Sequence, residues 1–90
     1  MVAKWREELG AAIDSIAALL APGGMAALVI GDSLAAGRPF YALDDVRAVL
    51  TSELSLVAWA SQARPALGAT ERAAFVQKDK AEHLILLRKS

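Results

Sequence analysis

The chain has 90 residues, ten basic and ten acidic side chains for a net charge of zero, and no cysteine. This length builds one domain at most, and disulfides, thiolate chemistry and a cysteine zinc site are all excluded. Apolar residues make up 56% of the chain, a high share for a domain with so much surface to keep wet, so part of it is expected to meet another chain or another part of its own.

Charge is laid out unevenly. Through Ala63 there are four basic and seven acidic residues, net −3, and from Arg64 onward six and three, net +3. The basic last third reads as a solvated loop and strand end, with a weak contribution to binding a phosphate backbone as the other reading.

The first predicted element is a helix. Trp5, Leu9, Ile13, Ile16 and Leu20, with Ala12 and Leu19 alongside, recur at helical spacing, while Lys4, Glu7, Glu8, Asp14 and Ser15 fall between them. Trp5 is in register with the stripe and reads as a core anchor rather than a stacking platform. Pro22-Gly23-Gly24 stops this helix, because proline lacks the N–H and glycine takes the positive φ of a tight reversal. The apolar run Met25 to Ile30 then predicts a strand covered on both faces, the habit of a parallel sheet. It closes on Gly31-Asp32-Ser33, and the carboxyl ends of strands are where open α/β sheets hold their ligands.

Ser15 to Gly31 is uncharged, but Pro22-Gly23-Gly24 would break a spanning helix at its centre, so no membrane span is read. The stretch Met1 to Glu8 sets two acids beside its bases with no apolar run after them, so it reads as no secretory signal, and a cytoplasmic location is expected.

Gly31 to Tyr41 reads as a loop of small residues. A second helix follows, with Asp44 or Asp45 as its cap and Leu43, Val46, Val49, Leu50 and Leu54 as its buried stripe. Ser55 to Gln62 reads as a second strand, with Val57 and Trp59 on one face and Leu56, Ala58 and Ala60 on the other. Pro65 ends it. A helical turn is expected at Thr70 to Phe75 with Thr70 as N-cap, and a last strand at Glu82 to Leu87, apolar on both faces at its centre.

A helix ending Leu20-x-Pro22-Gly23-Gly24, an apolar strand Val29 to Ser33, and a close on Glu82-His83-Leu84-x-Leu86-Leu87-Arg88-Lys89 resemble the C-terminal half of a class I S-adenosylmethionine-dependent methyltransferase. The similarity is greatest to the branch that methylates amino groups of DNA or tRNA bases. It implies an α/β fold, half of a Rossmann-like methyltransferase fold, in one subdomain over residues 1–90. The implied order is helix-strand-helix-strand-strand, forming a three-stranded mixed sheet ordered first-third-second with the last strand antiparallel. It also implies S-adenosylmethionine as cofactor of the full-length enzyme and nucleic acid as its partner.

The chain departs from that family where chemistry is done. It has no Gly-rich loop after a strand, no acidic residue placed for a ribose, and no Asn/Asp-Pro-Pro-aromatic motif. These parts lie upstream of Met1 in a full-length relative, so this chain alone is expected neither to bind the cofactor nor to transfer a methyl group. Right-handed crossovers put both helices on one side of the sheet. The other face and the edge of the first strand are therefore expected to be covered by a second copy, an exchanged element, a separate polypeptide or the missing N-terminal half.

Asp32, Ser33 and Arg38 are the substrate-cleft candidates, since strand end and following loop form the ligand edge of such sheets. The competing reading is a strand-end turn in which Asp32 binds nearby backbone N–H groups. His83 reads as structural, with no second histidine to share a metal. The residues around Ser33 are not a nucleophile elbow, and no catalytic triad is read from the sequence. The functional expectation is the C-terminal part of a methyltransferase acting on nucleic acid in its full-length form. The alternative is a noncatalytic module that dimerises or docks a protein through its half-fold.

Overall fold

The computed structural model describes residues 2–35, 37–76 and 78–90. In chain order the elements are helix α1 (Val2–Leu19), strand β1 (Met25–Gly31), the short strands β2 (Ser33–Ala35) and β3 (Arg38–Phe40), helix α2 (Ala42–Val49), strand β4 (Leu54–Ala63), helix α3 (Gly68–Ala74) and strand β5 (Ala81–Lys89). The chain is a small α/β domain. Its sheet runs β1-β5-β4, the expected first-third-second order.

The sheet is antiparallel, not mixed. β5 lies between β1 and β4 and runs against both, while β1 and β4 share a direction without touching. The parallel habit inferred from Met25 to Ile30 is corrected accordingly. Exposure alternates along β1, because one face receives the helices and the other receives nothing among the described residues.

α1 and α2 pack on the same face. Ile13 and Ala17 of α1, Val46 of α2, Leu54 of β4, and Ile85 and Leu87 of β5 form the buried core, with Leu9, Leu28 and Ile30 against it. The sequence stripe holds at Ile13, but Leu19 is 87% exposed and Ala17 takes the place inside that Leu19 was expected to share. Trp5 is half-buried and stands outside the core cluster that it was expected to anchor, its indole N–H donating to Asp45 Oδ2 at 2.7 Å. Leu54 belongs to β4 rather than to the helix α2, which ends at Val49.

The turn after α1 is pinned to the end of β5. Gly23, at φ +79°, donates to the carbonyl of Lys89 at 2.8 Å, and the Lys89 N–H donates to the carbonyl of Gly24 at 2.9 Å. Lys89 Nζ also reaches the Ala17 carbonyl at 2.6 Å, supplying a donor and a positive charge to the last turn of α1.

Further expectations are revised. Part of the predicted loop Gly31 to Tyr41 is the β2–β3 pairing, Ser33 opposite Phe40 and Ala35 opposite Arg38. Neither Asp44 nor Asp45 caps α2. Tyr41 holds the N-cap position without a side-chain bond, and Asp32 Oδ1 accepts the Ala42 N–H from outside the helix at 2.8 Å. α3 begins at Gly68 rather than Thr70, with Leu67 at its N-cap position.

A register shift between Leu56 and Ala58 leaves Val57 as an extra residue in β4. It puts Trp59 on the helix face with Leu56, opposite the face that Ala58 and Ala60 share, so the faces read from strict alternation are wrong beyond the bulge.

Candidate functional site

β1 ends at Gly31, and the next residue continues the pairing, with the Asp32 N–H donating to the Ala81 carbonyl at 2.8 Å. The Asp32 carboxylate is turned inward and occupied on both oxygens. Oδ2 accepts the Ala81 N–H at 2.9 Å; Oδ1 accepts the Ala42 N–H at 2.8 Å and lies 2.9 Å from His83 Nε2. One side chain thus joins the end of β1, the start of β5 and the first turn of α2. This is the turn-type reading of Asp32, extended to backbone groups distant in sequence.

His83 is buried beside it, and its other ring nitrogen, Nδ1, lies 2.7 Å from Ser61 Oγ. β4 and β5 bring the two side chains together, since Ser61 is the direct cross-strand partner of His83. The carboxylate takes the Nε2 proton, which leaves Nδ1 to accept from the Ser61 hydroxyl. Ser61 itself is exposed. A Ser-His-Asp line is therefore present where the sequence led to none, drawn from the body of β4, the start of β5 and the turn after β1.

The cleft candidates do not converge. Asp32 borders a cavity of about 440 Å³ with Arg64, Pro65, Leu67 and Lys80. Arg38 borders a different one of about 310 Å³ with Arg6, Phe40, Tyr41 and Asp44. Ser33 is exposed at the start of β2. Across the second cavity Arg6 is committed to Asp45, Nε to Oδ1 at 3.0 Å, so Arg38 is the arginine there without an ion pair among the described contacts.

Three of the six basic side chains from Arg64 onward pair with acids. Arg64 meets Glu82 at 3.3 Å, Lys78 meets Asp44 at 3.7 Å and stands 4.6 Å over the Tyr41 ring, and Lys80 meets Glu71 at 3.0 Å. The Glu71 carboxyl is held below its ordinary value, first by the N–H of Leu67 and then by the Lys80 ammonium. These pairs cut the field that a phosphate backbone would meet, which favours the solvated-loop reading of this segment.

The sheet face away from the helices carries Met25, Ala27 and Val29 of β1, Leu84 and Leu86 of β5, and Ala58 and Ala60 of β4. Val29 is 69% exposed, and an apolar hollow of about 210 Å³ runs between Ala27, Ala58, Ala60, Leu84 and Leu86. Among the described residues no group of three potential ligands could hold a metal ion, and no helix is long and apolar enough to cross a membrane.

The sequence did not point to Ser61 as a partner of His83, because only the strand register pairs them. No family model matches the chain, and neither a characterised protein nor a solved structure is significantly similar to it.

Proposed function

We propose that this chain is the C-terminal part of an S-adenosylmethionine-dependent methyltransferase that acts on nucleic acid when complete. The observation that supports this reading is the antiparallel insertion of β5 between β1 and β4, with α1 and α2 on one face. The first-third-second order and the antiparallel last strand agree with what the resemblance of Pro22-Gly23-Gly24, Gly31-Asp32-Ser33 and the Glu82-to-Lys89 strand implies, while the mixed sheet that it also implies does not form.

The uncovered surfaces support it as well. At about 3.4 Å per residue and 4.8 Å between strands, the bare face measures roughly 24 by 14 Å, well short of the 800 Å² or so per partner in a standard interface. A partner that also pairs with the free edge of β1 gains the remainder. Further strands beside β1, with helices laid over the bare face, would cover both at once.

The residues present offer the cofactor no site: no glycine-rich loop follows a strand, and the carboxylate at the end of β1 is fully engaged. No step of methyl transfer is assigned to them. The test is to translate the coding DNA upstream of the Met1 codon in this frame. A strand followed by a glycine-rich loop, at least about 100 residues upstream, is the expected result. A stop codon close to Met1 would overturn it.

The bare face supports a second reading, a noncatalytic module that dimerises with its own copy. The β1 edge is suited to this. An antiparallel pairing of two copies centred on Leu28 sets Met25 against Gly31, Ala26 against Ile30 and Ala27 against Val29, a large residue beside a small one each time. Sedimentation at high micromolar concentration is expected to give a dimer on this reading, and Val29→Lys should return it to monomer. A monomer that binds no apolar dye would remove it.

A further inference from the structure

We propose that Ser61 is a reactive nucleophile, activated by His83, and that the chain accepts acyl groups from activated esters at that serine. This goes beyond methyl transfer and does not depend on it. It rests on the Ser61-His83-Asp32 geometry and the position of Ser61 at the sheet edge.

A serine hydroxyl is a poor nucleophile until a base within hydrogen-bond reach takes its proton, and that base works best when a third group holds it in one tautomer. Here the hydroxyl is 2.7 Å from Nδ1, the opposite ring nitrogen is 2.9 Å from a carboxylate, and that carboxylate is fixed by two backbone N–H groups. The ring cannot turn away without leaving both partners. Ser61 and His83 are set by the pairing of β4 with β5, and Asp32, directly after β1, is held to β5 by its N–H on the Ala81 carbonyl.

Position matters as much as distance. His83 is 6% exposed and Asp32 5%, whereas Ser61 is exposed, so the base is shielded while the nucleophile is reachable. The Arg64 N–H donates to the Lys80 carbonyl, and alternation along an antiparallel ladder then turns the Ser61 N–H away from β5. β4 is the edge of the sheet, so that N–H faces outward on the nucleophile's own residue, where it can meet a developing oxyanion. The hollow of about 230 Å³ lined by Val29, Ala60, Gln62, Glu82 and Leu84 opens on the bare face, behind Ser61 and His83, so an acyl group reaches the hydroxyl from the open side of the β4 edge.

In the reaction, Ser61 Oγ bonds to the ester carbonyl carbon as its proton passes to His83 Nδ1. The bond from that carbon to the leaving oxygen breaks, and the leaving alcohol departs with the proton. Water then reverses the sequence: its oxygen bonds to the acyl carbon as its proton goes to Nδ1, the carbon–Oγ bond breaks as Oγ takes that proton back, and a carboxylic acid is released. No electrons are exchanged and no further reactant is needed. Ser61 and His83 are the catalytic residues; Asp32 is a positioning residue that acts through His83.

The experiment is labelling of the intact chain with a fluorophosphonate, followed by peptide mass mapping, beside hydrolysis of p-nitrophenyl acetate. A single adduct on Ser61 is expected, with its P–F bond replaced by P–Oγ. Ser61→Ala, an exposed position that leaves the fold intact, should abolish the adduct and lower hydrolysis at least tenfold. His83→Asn, checked by circular dichroism for its folded state, should slow labelling at least a hundredfold. In Asp32→Asn that remains folded, the pH of half-maximal labelling should move, which loss of a purely structural tie would not cause. Absence of an adduct at Ser61, or an adduct formed as fast in His83→Asn, would overturn the proposal, whatever the upstream reading frame contains.

Discussion

The carboxylate of Asp32 and the imidazole of His83 meet at 2.9 Å across a separation of 51 residues. The contact closes the fold, because the same carboxylate takes the first N–H of α2 and the N–H that opens β5. A helix start and a strand start, which would each leave a backbone donor without a partner, are served by one buried acid.

Asp32→Ala should therefore act on stability before anything else. It leaves two backbone donors and a buried ring nitrogen without their acceptor, and breaking such a buried charged contact costs about 3 kcal/mol or more. A domain of this size commonly has only about 5–10 kcal/mol in total. The urea midpoint should fall sharply with an unchanged slope. A shift below about 1 kcal/mol would mean that the carboxylate is not the tie described here.

What could be read from the sequence followed what is local. The α1 stripe, the stop at Pro22-Gly23-Gly24 and the β1 run all depend on neighbours within a few residues, and each element stands where its pattern put it. The β2–β3 pairing escaped because its strands are three residues each, joined through Gly37 at φ +76°, too short for alternation to register. Beyond Leu56 one extra residue inverted the faces of β4. Asp32 could be picked out as a polar residue at a strand end, but its partners could not, since Ala42, Ala81 and His83 reach it only through tertiary pairing. Ser61 was invisible for the same reason.

Asp45 makes a second tie, between the helices. Its two oxygens take the Trp5 indole N–H at 2.7 Å and Arg6 Nε at 3.0 Å. Asp45→Ala should cost about 1.5–3 kcal/mol, because the acceptor is buried and one partner is an aromatic N–H with few alternatives. Asp45→Asn keeps an oxygen for Trp5 and loses only the ion pair to a half-exposed arginine, which is worth about 0.5–1 kcal/mol. In a Trp59→Phe background, Trp5 emission should shift to the red in the alanine variant and stay in place in the asparagine one.

Acid should loosen α3 first at Glu71. Its carboxyl is held below the ordinary value by the Leu67 N–H and the Lys80 ammonium. A lowered folded value means that the contribution is present above the unfolded value and is lost as pH falls through the folded one. The exchange protection of the Leu67 amide should therefore persist through the usual carboxylate range and fall only below it. Glu71→Gln should remove this acid step. A step within the ordinary range would show that the carboxyl is not bonded as described.

The two glycines of the turn should respond differently to alanine. Gly23 is at φ +79° with open space where a Cβ would stand, so Gly23→Ala meets only backbone strain, about 1–2 kcal/mol. Asparagine tolerates that conformation better, and Gly23→Asn should cost less than Gly23→Ala. At Gly24 the conformation is ordinary, but a Cβ would lie 2.8 Å from the Ala21 carbonyl oxygen, a backbone atom that itself accepts the Gly24 N–H. Relief requires moving the turn, which also holds β5 through Lys89, so Gly24→Ala should cost about 2–3 kcal/mol. Denaturation midpoints ranked Gly23→Asn, Gly23→Ala, Gly24→Ala from highest to lowest would establish that close approach governs Gly24 and dihedral preference governs Gly23. The reverse order of the two alanine variants would show that the turn moves freely and that its bonds to Lys89 hold little.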